Sequence, residues 1–201
     1  MKKLHVLLSI VATVLIAVLA APLLPAMTGP ANPKVLIKTE FGDIAVEICQ
    51  DKAPVTAANF LRYVGAGLYD GSVFHRTVTL GNQPTNTVKI EVIQGGQLAA
   101  AKSFPAIPLE RTSVTGIMHL DGVISMARSG PDTATSSFFF CINDQPSLDY
   151  GGKRNADGQG FAAFGRVVAG MEVVRKIQKQ PAEGQNLKPQ VKIISISRIE
   201  Q

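Results

Sequence analysis

From Ser72 to its end, this chain is cut into short apolar runs by turn-forming residues. Val73–Val78, Lys89–Ile93, Gly122–Ala127, Ser137–Ile142, Phe161–Val168 and Val191–Ile199 have the length of strands. The stretches Thr79–Thr87, Asp149–Gly160 and Gly184–Pro189 are rich in Gly, Asn and Pro and read as loops. Upstream, Val35–Thr39 precedes Glu40-Phe41-Gly42-Asp43, after which Ile44, Val46 and Ile48 alternate with Ala45 and Glu47, the pattern of a β-hairpin. Two segments change period. Pro54 opens a stretch in which Ala57, Phe60, Leu61 and Val64 fall on one helical stripe, stopped by Gly65 and Gly67, and Met171, Val173, Val174 and Ile177 mark a second short helix. Many strands, few helices and no strand–helix alternation predict a mainly β domain, a barrel or sandwich. The first and last strands are apolar enough to pair and close it.

The N-terminus has another character. Lys2 and Lys3 precede a run from Val6 to Leu24 without a charged residue. This is the pattern of a secretory signal, with small residues for cleavage at Ala20-Ala21 or Ala26. The run also approaches the ~20 residues that span a bilayer, so an uncleaved anchor over residues 6–24 is the alternative. Residues 1–27 are assigned to this leader, 28–34 to a linker with two prolines, and 35–201 to a single domain large enough to bury a core. The domain is expected outside the cytoplasm, in the periplasm or an equivalent space, free if the leader is cut and otherwise tethered to the inner membrane.

The net charge is +5, of which the leader lysines supply 2, leaving +3 for residues 28–201. No basic cluster marks a nucleic-acid surface. Cys49 and Cys141 could pair in an oxidising space, but both lie in strand-like apolar segments and read better as buried thiols. A serine hydrolase is disfavoured, because no G-x-S-x-G elbow is present. His75 and His119 have no ligand partners at metal spacing and read as hydrogen-bonded structural histidines. Neither a metal nor another cofactor is expected.

Phe74-His75-Arg76 followed by Gln94-Gly95-Gly96 is the motif with the most chemical content. It sets a permanently charged guanidinium beside an aromatic wall, which suits a groove that binds an amide and holds a donor against it. Around it, FGDIAVEI, DKAPVTAANFLRYVGAGLYDG, VFHR, IQGG, GVISMAR, SSFFFCI, PSLDYGG and GFAAFGRVVAGMEVV occur in one order. Together these segments resemble the cyclophilin family of peptidyl-prolyl isomerases. The resemblance implies a closed eight-stranded antiparallel β-barrel capped by two helices, with a proline-binding groove on its outer face and proline-containing polypeptides as partners. By position, Arg76 matches the family's catalytic arginine and Gln94 the glutamine of its Q-G-G. Ala127 matches a pocket-rim alanine, Phe139 the pocket floor and Leu148 a pocket leucine. Phe161 matches a site often held by histidine or another aromatic residue.

Several positions depart from the family pattern. Glu91 stands where the family has a pocket phenylalanine, Val92 where it has methionine, Ser137 where it has a substrate-positioning glutamine, and Ser147 where the best-known members have tryptophan. Between Arg76 and Gln94 the chain is also roughly ten residues longer than usual, and this extra loop, 79–90, should border the groove. The expected activity is prolyl isomerisation of exported proteins as folding assistance, with the chain acting as a monomer. The alternative is a catalytically weak module of the same fold that grips proline-containing segments. A barrel for some other apolar ligand ranks last, since it leaves Arg76 unexplained.

Overall fold

The computed structural model describes residues 32–200; the predicted leader, 1–27, and the linker up to residue 31 lie outside the described residues. Among the described residues, nine strands form one antiparallel sheet. They are β1 (Lys34–Thr39), β2 (Gly42–Ile48), β3 (Val73–Val78), β4 (Val92–Gly95), β5 (Val123–Met126), β6 (Phe138–Cys141), β7 (Ala162–Ala169), β8 (Ala182–Glu183) and β9 (Asn186–Ile199). The order is β1-β2-β7-β5-β6-β4-β3-β9-β8, and β1 also pairs with β9. That last pairing closes an eight-stranded barrel, with the two-residue β8 outside it as a short flap on β9. The expected pairing of first and last strands is therefore present, with Lys34 opposite Ile199 and Ile37 opposite Ile196.

Helix α1 (Pro54–Gly65) and helix α3 (Met171–Gln178) fall where the apolar stripes place them, and a third, one-turn helix, α2 (Thr112–Thr115), was not expected. Pro54 occupies the first turn of α1, which has no local side-chain cap. Its free N–H groups are met instead from a distant loop. Both oxygens of Glu110 accept from the helix, from Val55 N at 3.1 Å and Thr56 N at 2.7 Å. A carboxylate at a helix N-terminus is also favoured by the helix dipole.

Two predicted boundaries are corrected. The strand expected over Lys89–Ile93 begins only at Val92. The side chain of the buried Gln83 takes the place of a neighbouring strand there, bonding both the N–H and the carbonyl of Ile90. The loop expected over Gly184–Pro189 is mostly strand, because β8 and β9 make a tight hairpin with Ala182 opposite Leu187. Gly184, at φ +59°, supplies the turn. Pro189 lies at an exposed position, the kind of strand site that tolerates a missing N–H.

The alternation of side chains in strands divides the apolar residues into two clusters. Phe74, Phe138, Phe140, Phe164, Ile37, Ile44 and Ile124 point into the barrel and pack with Phe60 of α1. Val78, Val92, Phe139, Cys141 and Leu148 form a separate cluster on the outer side, joined by Ile90. Of the three consecutive phenylalanines, 138 and 140 are thus core, and 139 faces away from it.

Candidate functional site

The outer cluster is built by register. Arg76 on β3 pairs with Gln94 on β4, Gln94 pairs with Phe139 on β6, and Phe139 pairs with Ser125 on β5. Directly opposed residues share a face of the sheet, so a cation, an amide and an aromatic ring stand in a row across three strands. The two glycines after Gln94 allow β4 to lie this close to its surroundings. Gly96 adopts φ +66°, and a Cβ there would meet the Phe138 ring at 2.4 Å.

This row lines a cavity of about 210 Å³. Arg76, Val92, Gln94, Ala127, Phe139, Leu148 and Phe161, seven of the eight residues singled out from sequence, border it. Phe139 and Phe161 meet edge to face with centroids 5.3 Å apart. Ser137 is the exception. It lines an adjoining polar recess of about 280 Å³ that shares Gln94, Ala127 and Arg128 with the cavity. Its hydroxyl accepts from Gln94 Nε2 at 3.1 Å and donates to the Gly95 carbonyl at 3.2 Å. A serine is too short to reach further, so its hydrogen bonding is turned toward the scaffold.

The Arg76 guanidinium is held by amide oxygens rather than by a carboxylate. Nη1 donates to Gln94 Oε1 at 2.9 Å; Nε and Nη2 donate to Gln185 Oε1 at 3.0 and 2.6 Å. None of the ion pairs among the described residues involves Arg76. Burial, and then the charge of Arg154, make its protonated form less favourable than in water. Three of the five guanidinium N–H groups are used, which leaves two, one on each terminal nitrogen. Sequence reading missed Gln185, because nothing in a turn of the type Glu-Gly-Gln-Asn announces that a hairpin will fold it onto a residue more than a hundred positions away.

Four wall residues were also missed. Ile90 fills the space assigned by resemblance to Glu91, and Glu91 is turned away from the cavity, where its carboxylate accepts from Asn143 Nδ2 at 2.8 Å. Period 2 accounts for the correction, since Val92 faces the cavity and its neighbour must face the other way. Arg128 pairs with both oxygens of Asp157, at 2.7 and 2.9 Å, and its guanidinium lies 5.1 Å from the centre of the Phe161 ring. The Arg128 hydrogen bonds hold the Asp157 carboxyl down at about 2. Arg154 and Asn155 complete the wall.

Beneath the floor lies a buried polar row. His119 Nδ1 and Asp149 Oδ1 are 2.7 Å apart, and His119 Nε2 and Ser125 Oγ are 3.0 Å apart. The imidazole stacks under Phe139 at an interplanar angle of 10°. Although the order Ser–His–Asp is that of a hydrolase triad, Ser125 is wholly buried in mid-strand and borders none of the cavities described, so no substrate reaches it. His119 is the hydrogen-bonded structural histidine expected. His75 is not: its Nδ1 is buried without a hydrogen-bond partner, and burial and the Arg76 charge lower its pKa. Both cysteines are free thiols. Cys141 is buried as expected, whereas Cys49 is only half-buried. Among the described residues no group of three or more His, Cys, Asp or Glu side chains could hold a metal ion, and no helix is long and apolar enough to cross a membrane.

The family model described as "Cyclophilin type peptidyl-prolyl cis-trans isomerase/CLD" matches residues 34–198. The chain belongs to the cyclophilin family. It is 35% identical over 189 residues to a peptidyl-prolyl cis-trans isomerase of Acinetobacter baylyi, covering 90% of this chain and 93% of that one. It is 33% identical over 147 residues to peptidyl-prolyl cis-trans isomerase B of Escherichia coli, covering 72% and 83%. A cyclophilin-type isomerase of Cryptosporidium parvum, whose crystal structure was determined in the presence of the dipeptide Ala-Pro, superposes with a TM-score of 0.67 at 20% identity, over 84% of this chain and 99% of that one. The likeness extends the fold assignment to the whole barrel.

Proposed function

We propose that this cyclophilin accelerates cis–trans rotation about X-Pro bonds in exported polypeptides, with Arg76 as its catalytic residue. The reaction needs neither acid, base nor metal. An X-Pro bond resists rotation with a barrier of ~18–20 kcal/mol because resonance makes its C–N bond partly double, and uncatalysed exchange takes tens to hundreds of seconds. As the bond twists, resonance is lost and the proline nitrogen gains a lone pair. A donor aimed at that lone pair binds the twisted state more tightly than either planar one, which is what lowers a barrier. A preorganised donor in a site shielded from water is worth about 3–4 kcal/mol.

The observation that carries this reading is the two-glutamine grip on Arg76. Gln94 and Gln185 fix the guanidinium plane at the cavity wall without neutralising its charge, and leave two N–H groups for a guest. Phe139, Val92, Leu148 and Phe161 form the apolar seat for the proline ring, with Ala127 at its rim. Holding the ring lets the chain on the other side of the bond turn. Ser137 acts from the adjoining recess, through its hydrogen bond to Gln94. The names of the relatives and the Ala-Pro dipeptide used with the Cryptosporidium parvum protein support a proline-containing guest.

Export rests on Lys2, Lys3 and the uncharged run from Val6 to Leu24. The clients are then proteins folding outside the cytoplasm, met by a monomer either released or tethered through residues 6–24. N-terminal sequencing of the protein recovered from the extracytoplasmic fraction checks this part: a start beyond Ala20 means release, and an intact leader on membranes means a tether. Exchange spectroscopy on a short X-Pro peptide checks the chemistry. Faster cis–trans exchange with the protein present supports the isomerase, and binding without faster exchange favours the gripping module.

A further inference from the structure

Resting on the isomerase reading above, we infer that the site prefers prolines flanked by an acidic side chain, and that Arg154 reads that charge. Its backbone N–H donates to the Ser147 carbonyl at 3.1 Å, and Nη1 donates to the Val88 carbonyl at 2.6 Å. The side chain thereby bridges the long glycine-rich loop and the inserted segment, and is fixed at the cavity wall. Its Nε and Nη2 donate to no protein group among the described residues.

The charge balance of the cavity sets the sign. Arg76, Arg128 and Arg154 line it, and no carboxylate does. Arg128 is neutralised by Asp157. Glu91, immediately before β4, is engaged by Asn143 and turned away from the cavity. Arg76 is held by its two glutamines, and its two remaining N–H groups are those assigned to the twisted imide. Arg154 is thus a second cavity cation without an ion-pair partner among the described residues, its Nε and Nη2 donors open, and its proximity to Arg76 makes an incoming anion more welcome still. The location fixes what it meets. Gln94, Ala127 and Arg128 mark the junction with the polar recess, whereas Arg154, Asn155 and Ile90 border the cavity alone, away from that junction. A chain running through the recess and seating its proline over Phe139 continues past Arg154. A Glu or Asp one position from the proline brings a carboxylate to the open guanidinium edge, where paired N–H groups suit it.

The test compares acetylated, amidated peptides that differ only in Glu or Gln, placed immediately before or immediately after the proline, so that the side chain is the sole added charge. The quantity read is the Glu/Gln ratio of kcat/KM within one enzyme, from which any general loss of activity divides out. The wild-type ratio at one of the two positions is expected to be about fivefold or more, the upper range of a partly exposed ion pair, and to shrink on adding salt. Arg154→Gln keeps a donor for the Val88 carbonyl and removes the charge; its ratio should fall to near one, while Arg154→Lys retains most of the preference. A wild-type ratio of one or below at both positions overturns the inference, as does a preference that survives in Arg154→Gln. If no peptide exchanges faster with the protein, the isomerase reading fails by itself, and the Glu/Gln ratio of dissociation constants from chemical-shift titration decides the charge preference.

Discussion

One oxygen of Gln185 holds one edge of Arg76 through two N–H groups. Gln185 Oε1 accepts from Nε and from Nη2, while its Nε2 donates to the Asn82 carbonyl in the inserted loop at 3.2 Å. Asn82 is itself anchored, since its Nδ2 donates to the carbonyls of Thr77 and Gly184. The chain of contacts runs from the insertion through the β8–β9 hairpin to the guanidinium. The extra loop, expected only to border the groove, therefore braces the Arg76 side chain from behind.

Replacing Gln185 by Ala should free two of the three anchored donors of Arg76. A hydrogen bond to a charged group is worth about 1.5–3 kcal/mol, so kcat should fall about tenfold. Gln185 does not line the cavity, and KM should change little. A rise in KM with kcat retained would show that Gln185 acts on substrate binding rather than on the arginine.

The row under Phe139 should carry stability rather than chemistry. His119→Ala would leave Asp149, which is only 5% exposed, without its ring partner. Removing one member of a buried polar pair of this kind costs about 3–5 kcal/mol. Urea denaturation should register a loss of about 3 kcal/mol or more. Ser125→Ala, which removes a single hydroxyl, should leave no hydrolytic activity to lose and a much smaller change in stability.

His75 predicts a dependence on pH. Burial first, and then Arg76, push its pKa below the ordinary 6.5. In the unfolded chain the ring takes up a proton near that ordinary value, and in the fold it does so only at lower pH. The unfolded state therefore binds more protons in the window between, and stability is complete above pH 6.5 and is lost as the pH falls toward the folded value. Thermal melting at pH 7 and pH 5 should show a drop in wild type and a smaller drop in His75→Asn. An equal drop in both would place the acid sensitivity elsewhere.

Much of the barrel was legible because period-2 alternation and turn chemistry are local signals. Ile44, Val46 and Ile48 announced their strand, and Phe60, Leu61 and Val64 their helix. The groove was legible through resemblance at Arg76, Gln94 and Phe139, which register then set in one row. What stayed hidden depends on distant partners. Gln83 replaces a strand for Ile90, Gln185 arrives through a hairpin that Pro189 and Gly184 made look like a loop, and Glu110 caps a helix from the far side of the chain. Glu91 was placed in the groove by counting back from Gln94, and the alternation that turns it outward becomes decisive only once the facing of Val92 is known.

The central claim is that the guanidinium of Arg76 stabilises the twisted imide. Magnetisation-transfer NMR on a short X-Pro peptide, with wild-type and Arg76→Ala proteins matched for folding by their amide spectra, measures it most directly. The account predicts catalysed exchange in wild type and a rate at least a hundredfold lower in the variant, in line with the ~3–4 kcal/mol assigned to one preorganised donor. Equal exchange rates for the two folded proteins would contradict it.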